Sequence, residues 1–209
     1  SGVCFKTCYA FRFRNATFIS LEQGTRWWAN TPPAWLEKHL KQAAEDPAID
    51  HTFITMHHPM YSSTMVENPP DPEHPGAGEC IGPVRRLYED LFRRYDATIV
   101  FSGHTHLYDR FYVPDDGHST RSDTPPLTYP ADGAGIHYIV TGGGGGPLNG
   151  GHYREELSAQ YSQNRVCAYH VTEVTVQGRR LTVRAHVVKG SAEDYQHTVF
   201  ESFSIGSEG

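Results

Sequence analysis

The sequence predicts an α/β fold followed by a portion that is all β. Three observations carry that reading. The first half alternates short β-branched or aromatic runs with stretches of helical period. The run "ATIVF" from Ala97 to Phe101 is apolar almost throughout, as in a sheet buried on both faces. From Ala168 onward only strand-like runs and turns follow.

Tyr9 to Phe13 and Thr17 to Leu21 read as two strands around a turn at Arg14-Asn15. Thr31-Pro32-Pro33 reads as a helix start, with Thr31 as the cap and Pro32 in the first turn. Leu36, Leu40 and Ala43 then recur at helical spacing to about Glu45. "HTFITM", His51 to Met56, is a strand. A proline- and acid-rich loop follows from His57 to about Gly82, a length that is usually functional or disordered. Val84 to Tyr95 is an amphipathic helix with Val84, Leu87, Tyr88, Leu91, Phe92 and Tyr95 on one face. Its arginines, Arg85 among them, lie elsewhere. After the strand "ATIVF", a second long loop spans Tyr112 to Gly135. Ile136 to Thr141 is a strand, and five glycines, Gly142 to Gly146, follow it. Ala168 to Val176 and Leu181 to Val188 flank a turn at Gln177-Gly178, and His197 to Ile205 is the last strand. His137, His170, His186 and His197 fall inside strands and read as packing or surface residues. Trp27, Trp28 and Trp35 read as core.

The chain has 209 residues, enough for one domain with a sizeable core. Its net charge of −6, with no basic stripe, gives no nucleic-acid footprint. No run of eighteen apolar residues provides a membrane span, and "SGVCFKTCYA" lacks the apolar stretch of a signal peptide. Cys4, Cys8, Cys80 and Cys167 match no zinc pattern of paired C-x-x-C units; two disulfides and four free thiols both fit. The sequon Asn15-Ala16-Thr17 and the cysteines lean toward a secreted or extracytoplasmic protein. The glycine run is not a phosphate loop, because Pro147-Leu148 stands where Lys-Ser/Thr is required. It reads instead as backbone passing near a site. Ser62-Ser63 lacks the surroundings of a nucleophilic serine.

Three loops leave the carboxyl ends of predicted strands: "HHPMYSS", "SGHTHLYDR" and "GGGGGP". Ligands of open α/β sheets collect at such ends, so the three are expected to face one crevice. A lone histidine after a strand is ordinarily a satisfied polar group. Three of them at two strand ends, His57, His104 and His106, have a common use as metal ligands. Two imidazoles in an H-x-H loop can reach one cation or two neighbouring ones, and Gly103 lets the backbone pass close to a bulky centre.

"TMHHPMYSS" followed by "VFSGHTHLYDR" resembles the calcineurin-like metallophosphoesterases, nearest the purple acid phosphatase branch. "YAFRFRNATFISLEQ", "PPAWLEKHLKQA", "IHYIVTGGGGGP" and "YHVTEVTVQGRRLTVRAHVV" extend the resemblance over nearly the whole chain. It implies a four-layer α/β/β/α metallophosphoesterase sandwich, of which residues 1–209 are the C-terminal portion of a single catalytic domain. It also implies a dinuclear centre of zinc, iron or manganese that hydrolyses phosphate esters, as an acid-phosphatase-like monoesterase. His57 and His104 would share one metal and His106 would bind the other. His58 would stand behind the ligands as a catalytic residue. His74 would hold phosphate or protonate the leaving group, and Tyr61 would line the substrate pocket. Tyr108, Asp109 and Arg110 resemble the family's "YER" and would brace the loop.

None of the family's opening motifs, D-x-H, G-D-x-x-[DY] and G-N-H-[DE], precedes the histidine motifs, and the triplet Asp116-Gly117-His118 sits in a late loop. "DPEH" at Asp71 to His74 and "DDGH" at Asp115 to His118 do not replace them. The bridging aspartate and the asparagine ligand are therefore missing, and a second polypeptide could carry them. The alternatives are a catalytically incomplete fragment, a phosphodiesterase of the same family, or a non-enzymatic zinc-binding domain.

Overall fold

In the computed structural model, which describes residues 7–22, 31–64, 82–122, 124–130, 134–148, 157–190 and 194–207, two helices and two sheets form three layers. The elements are β1 (Tyr9–Phe13), β2 (Ala16–Ser20), α1 (Pro33–Glu45), β3 (His51–Met56), α2 (Gly82–Arg94), β4 (Ile99–Ser102) and β5 (Tyr108–Pro114). They continue with β6 (Thr128–Tyr129), β7 (Gly135–Thr141), a 3-10 turn (Leu157–Tyr161), β8 (Ser162–Val166), β9 (His170–Gln177), β10 (Arg180–Gly190) and β11 (Tyr195–Ile205).

The larger sheet runs β1-β2-β3-β4-β7-β5-β8 and the smaller β6-β11-β10-β9. β2, β3, β4 and β7 are parallel, because α1 and α2 carry the chain back between β2, β3 and β4. Side chains alternate along each strand, so the central sheet feeds two cores. Ile54 of β3, Val100 of β4 and Tyr138 of β7 pack with Leu36 and Leu40 of α1 and Tyr88 and Phe92 of α2. Phe53, Ile99 and Ile139, one residue away, pack with Leu181 and Val183 of β10 and Phe203 of β11. Each such fully buried side chain contributes about 1.5–3 kcal/mol. This arrangement is the expected α/β part with an added β-layer.

Several elements differ from the sequence expectation. Thr31 does not cap α1: the cap position is Pro32, and the Thr31 hydroxyl bonds the backbone of Glu22. On α2, Leu87 is exposed while Arg85 is buried, its guanidinium 4.8 Å from the Tyr61 ring centroid. Tyr61 and the carbonyl of Met60 lie over this end of the helix, so a cation with a long apolar stem fits better than leucine. "YDRFYVP" is a strand, β5, and not a loop. Its Asp109 and Arg110 hid it, since both are buried where apolar residues are expected. The polar edge strand β8 and the two-residue β6 carried no readable period. Of the cysteines, Cys8 is in a disulfide and Cys167 is a free exposed thiol, which excludes both two disulfides and four free thiols. Cys4, Cys80, Trp27 and Trp28 lie outside the described residues, and Trp35 packs against the helix-side core. The amide of Asn15 donates to Asp50 and to the carbonyl of Gly178, each at 2.9 Å, so the sequon asparagine is engaged within the fold. No helix among the described residues is long and apolar enough to cross a membrane.

Between the sheets lies a buried polar network. Arg110 of β5 donates to Glu201 of β11 from Nε at 2.9 Å and from Nη2 at 2.7 Å. The hydroxyl of Tyr108 donates to the other carboxylate oxygen. Arg110 also donates to Tyr129, which donates to Gln163 of β8. The guanidinium lies 4.2 Å from the Phe203 ring centroid. Removing one member of a buried pair strands the other, which costs about 3–5 kcal/mol. Glu201→Ala is therefore expected to lower unfolding stability in urea by about 3–5 kcal/mol, with Arg110→Met/Glu201→Leu costing less than either single loss of charge. Equal and additive losses would show that the pair is not coupled.

Candidate metal centre

Parallel pairing of β3 with β4 places Met56 beside Ser102, so His57 and Gly103 leave the sheet at one level. The Gly103 amide donates to the His57 carbonyl at 3.0 Å and ties the two loops together. Gly103 itself is not sterically required, since a Cβ there would meet only the His57 carbonyl at 3.9 Å. The next residue, His104, has φ 64. That left-handed conformation is costly for a non-glycine residue. It turns the imidazole back over β3, where Nδ1 lies 3.2 Å from Nε2 of His57.

That separation suits a shared cation. Two nitrogens held about 2.0–2.1 Å from one zinc at a near-tetrahedral angle are themselves about 3.2–3.4 Å apart. His57, His58 and His104 offer ligand atoms that all lie within 4.8 Å of one another. His58 is thus part of the cluster and not merely behind it; its ring centroid is 4.4 Å from that of His104. Burial first, then the neighbouring His104 and His57, push the His58 ring down to about 4. Burial also lowers His57, with His104 and His106 adding to the effect. Neutral imidazole is the form that binds metal, so crowding the rings prepares them as ligands at pH 7. A general-acid role for His58 would require an anion beside it to raise that value.

His106 stands outside the three-histidine group. Its Nδ1 is 2.7 Å from the carbonyl of Pro147. A carbonyl only accepts, so Nδ1 carries the proton and Nε2 keeps the lone pair. The glycine run makes this contact. A Cβ on Gly146 would lie 2.6 Å from Cε1 of His106, and one on Gly142 would lie 2.1 Å from the Thr105 carbonyl. The expectation that glycines let backbone pass near the site holds at these two positions. The three loops do converge at one end of the sheet.

Tyr61, expected to line the substrate pocket, has its hydroxyl turned away from the histidine loops. It is buried in the helix-side core with its hydroxyl donating to Glu89 of α2. Burial, then Glu89, raises its pKa well above the usual tyrosine value. His74 lies outside the described residues. Asp109, which the resemblance to the family's "YER" assigned to bracing the loop, sits in β5 directly after the H-x-H loop. One of its oxygens accepts the Ser63 amide at 2.8 Å, so a buried carboxylate joins the two histidine loops.

No family model matches the chain. Over 111 residues, 53% of its length, it is 30% identical to Fe(3+)-Zn(2+) purple acid phosphatase 12 of Arabidopsis thaliana, of which the match spans 21%. Purple acid phosphatase PPD1 from yellow lupin (Lupinus luteus) seeds superposes with a TM-score of 0.66 at 19% identity, covering 95% of this chain and 32% of that one. GAP50, described as the anchor in the inner membrane complex of Plasmodium, superposes with a TM-score of 0.51 at 14% identity, covering 97% and 54%. The chain resembles the purple acid phosphatases in sequence and shares their two-sheet fold, over a fraction of their length.

Burial pushes Asp109 up to about 7, against the lowering effect of its Ser63 hydrogen bonds and of Arg165. An acid whose folded pKa is raised binds more protons folded than unfolded. Its contribution to stability is then full below the ordinary value of 3.8 and is lost as pH rises to about 7. His58, lowered on folding, acts in the opposite sense. The difference between wild-type and Asp109→Asn stability curves isolates the carboxyl: wild type is expected to lose stability relative to the variant across that window. A constant difference across the window would refute the buried, raised carboxyl.

Proposed function

We propose that this relative of the purple acid phosphatases is part of a metal-dependent phosphatase acting on phosphate monoesters. The supporting observation is the 3.2 Å approach of His57 Nε2 to His104 Nδ1 at the carboxyl ends of two adjacent parallel strands. His57 and His104 would hold one cation, with His58 beside it, and His106 Nε2 would serve a second. Imidazole donors suit zinc, iron or manganese. Bound there, the cations would supply Lewis acidity toward phosphoryl oxygens and acidify a water.

The protein's own groups set the stage for that chemistry. Burial favours the neutral form of His57, which lies close to His104 before any ligand arrives. Pro147 fixes the tautomer of His106, and Asp109 keeps the two histidine loops at a set distance. No carboxylate joins the histidine group among the described residues. The G-D-x-x-[DY] and G-N-H-[DE] motifs are also missing from all 209 residues, and the one D-x-H triplet, Asp116-Gly117-His118, lies after β5 and outside the histidine group. We therefore infer that a bridging carboxylate and further ligands come from outside this sequence, in a preceding segment or a second polypeptide. His74, on the acidic loop, is the candidate to meet the leaving group. The all-histidine cluster also favours a second reading, a zinc-binding module without turnover, since a fold does not fix an activity.

Zinc titration and an aryl phosphate assay on the same sample separate these readings. The chain alone is expected to bind one zinc, with at least tenfold weaker binding in His57→Ala and in His104→Ala, and to show no turnover. Turnover is expected only when the missing ligands are supplied. Zinc binding unchanged in the His57→Ala/His104→Ala double variant would refute the site, and one zinc without turnover in the completed protein would favour the binding module.

A further inference from the structure

We propose that His170 is a positioning residue for His106, acting through the glycine turn between them; this rests on the reading of His106 as a metal ligand. His170 opens β9 and is 3% exposed. Its Nδ1 lies 2.9 Å from the carbonyl of Ala168, which can only accept, so Nδ1 carries the proton. Nε2 then accepts from the hydroxyl of Thr141, the last residue of β7, at 3.1 Å. That hydroxyl in turn accepts from Thr172 at 2.9 Å. Both ring nitrogens are satisfied, and the tautomer and orientation of the ring are set.

The ring bears on the first half of the glycine turn. A Cβ on Gly143 would lie 2.3 Å from Nδ1 of His170 and 2.6 Å from its Cε1. The His170 amide donates to the Gly143 carbonyl at 3.1 Å. Four residues on, Pro147 presents its carbonyl to His106, and Gly146 lies against that imidazole. A Cβ on Gly144 or Gly145 between them would meet nothing within 4 Å. The turn therefore spans two imidazoles and is held at its ends. One ring sets its height above the sheet, and its far end sets the proton on the other. Without that contact an exposed imidazole has no reason to keep its proton on Nδ1. A proton on Nε2 would block the nitrogen offered to metal.

Long-range proton–nitrogen NMR correlation on the 209-residue chain reads the tautomer of His106 directly, with His106→Gln giving the assignment. Wild type is expected to show a single Nδ1–H tautomer. His170→Ala is expected to lose it in favour of a mixture, while zinc binding at His57 and His104 is retained. Where His170→Ala unfolds, Thr141→Val decides, because it removes the Nε2 partner and keeps the volume; the same mixture is expected. A His106 that stays wholly Nδ1–H in the folded variant overturns the proposal. Failure of wild type to bind zinc overturns the metal reading of the site and leaves the tautomer result standing.

Discussion

The ion pair between Arg110 and Glu201 is the contact on which the arrangement depends. It is buried, it crosses from the larger sheet to the smaller, and β5, which carries Arg110, begins two residues after His106. A charge in that position is tolerable only when its partner is fully in place. Tyr108 donates to Glu201, Arg110 donates to Tyr129, which is held in turn by Gln163, and the face of Phe203 lies against the guanidinium. The pair therefore specifies one stacking of the two sheets. In doing so it anchors the strand that leaves the H-x-H loop.

The histidine centre inherits its geometry from that anchoring. On one side β4 delivers His104 beside His57 through parallel register. On the other, β5 runs back antiparallel to β7, so the loop between β4 and β5 must turn over the end of the sheet. Asp109 and the Gly103 amide hold this loop to the one after β3. The glycine turn after β7 closes it from the opposite side, and Gly142 and Gly146 are the positions where only a missing Cβ permits the approach. The left-handed His104 is the strained point of the assembly, and surrounding contacts hold it there.

Much of this was legible in the sequence because the relevant signals are local. "HTFITM" forms a strand with the expected bounds, and α1 ends at the expected Glu45. The order of strands and helices placed His57, His104 and the glycine run at one end of a sheet. What escaped notice were residues whose environment is set by distant partners. Arg110 and Asp109 disguised β5 as loop, because their buried partners are Glu201 and Ser63, far off in the chain. Tyr61 turns inward to Glu89 of α2, a partner far along the chain. Thr31 looked like a cap but serves the backbone of Glu22.

By itself the sequence determined the alternation of strands and helices, the two-sided burial of the central sheet and the residue types of the centre. Those depend on hydrophobic period and on short motifs, which neighbours along the chain specify. Only the tertiary structure decided which nitrogens meet. His58 joins His57 and His104, whereas His106 turns to Pro147 and stands apart. Imidazole orientation depends on a carbonyl or a ring brought from another strand, and local sequence carries no record of that distance.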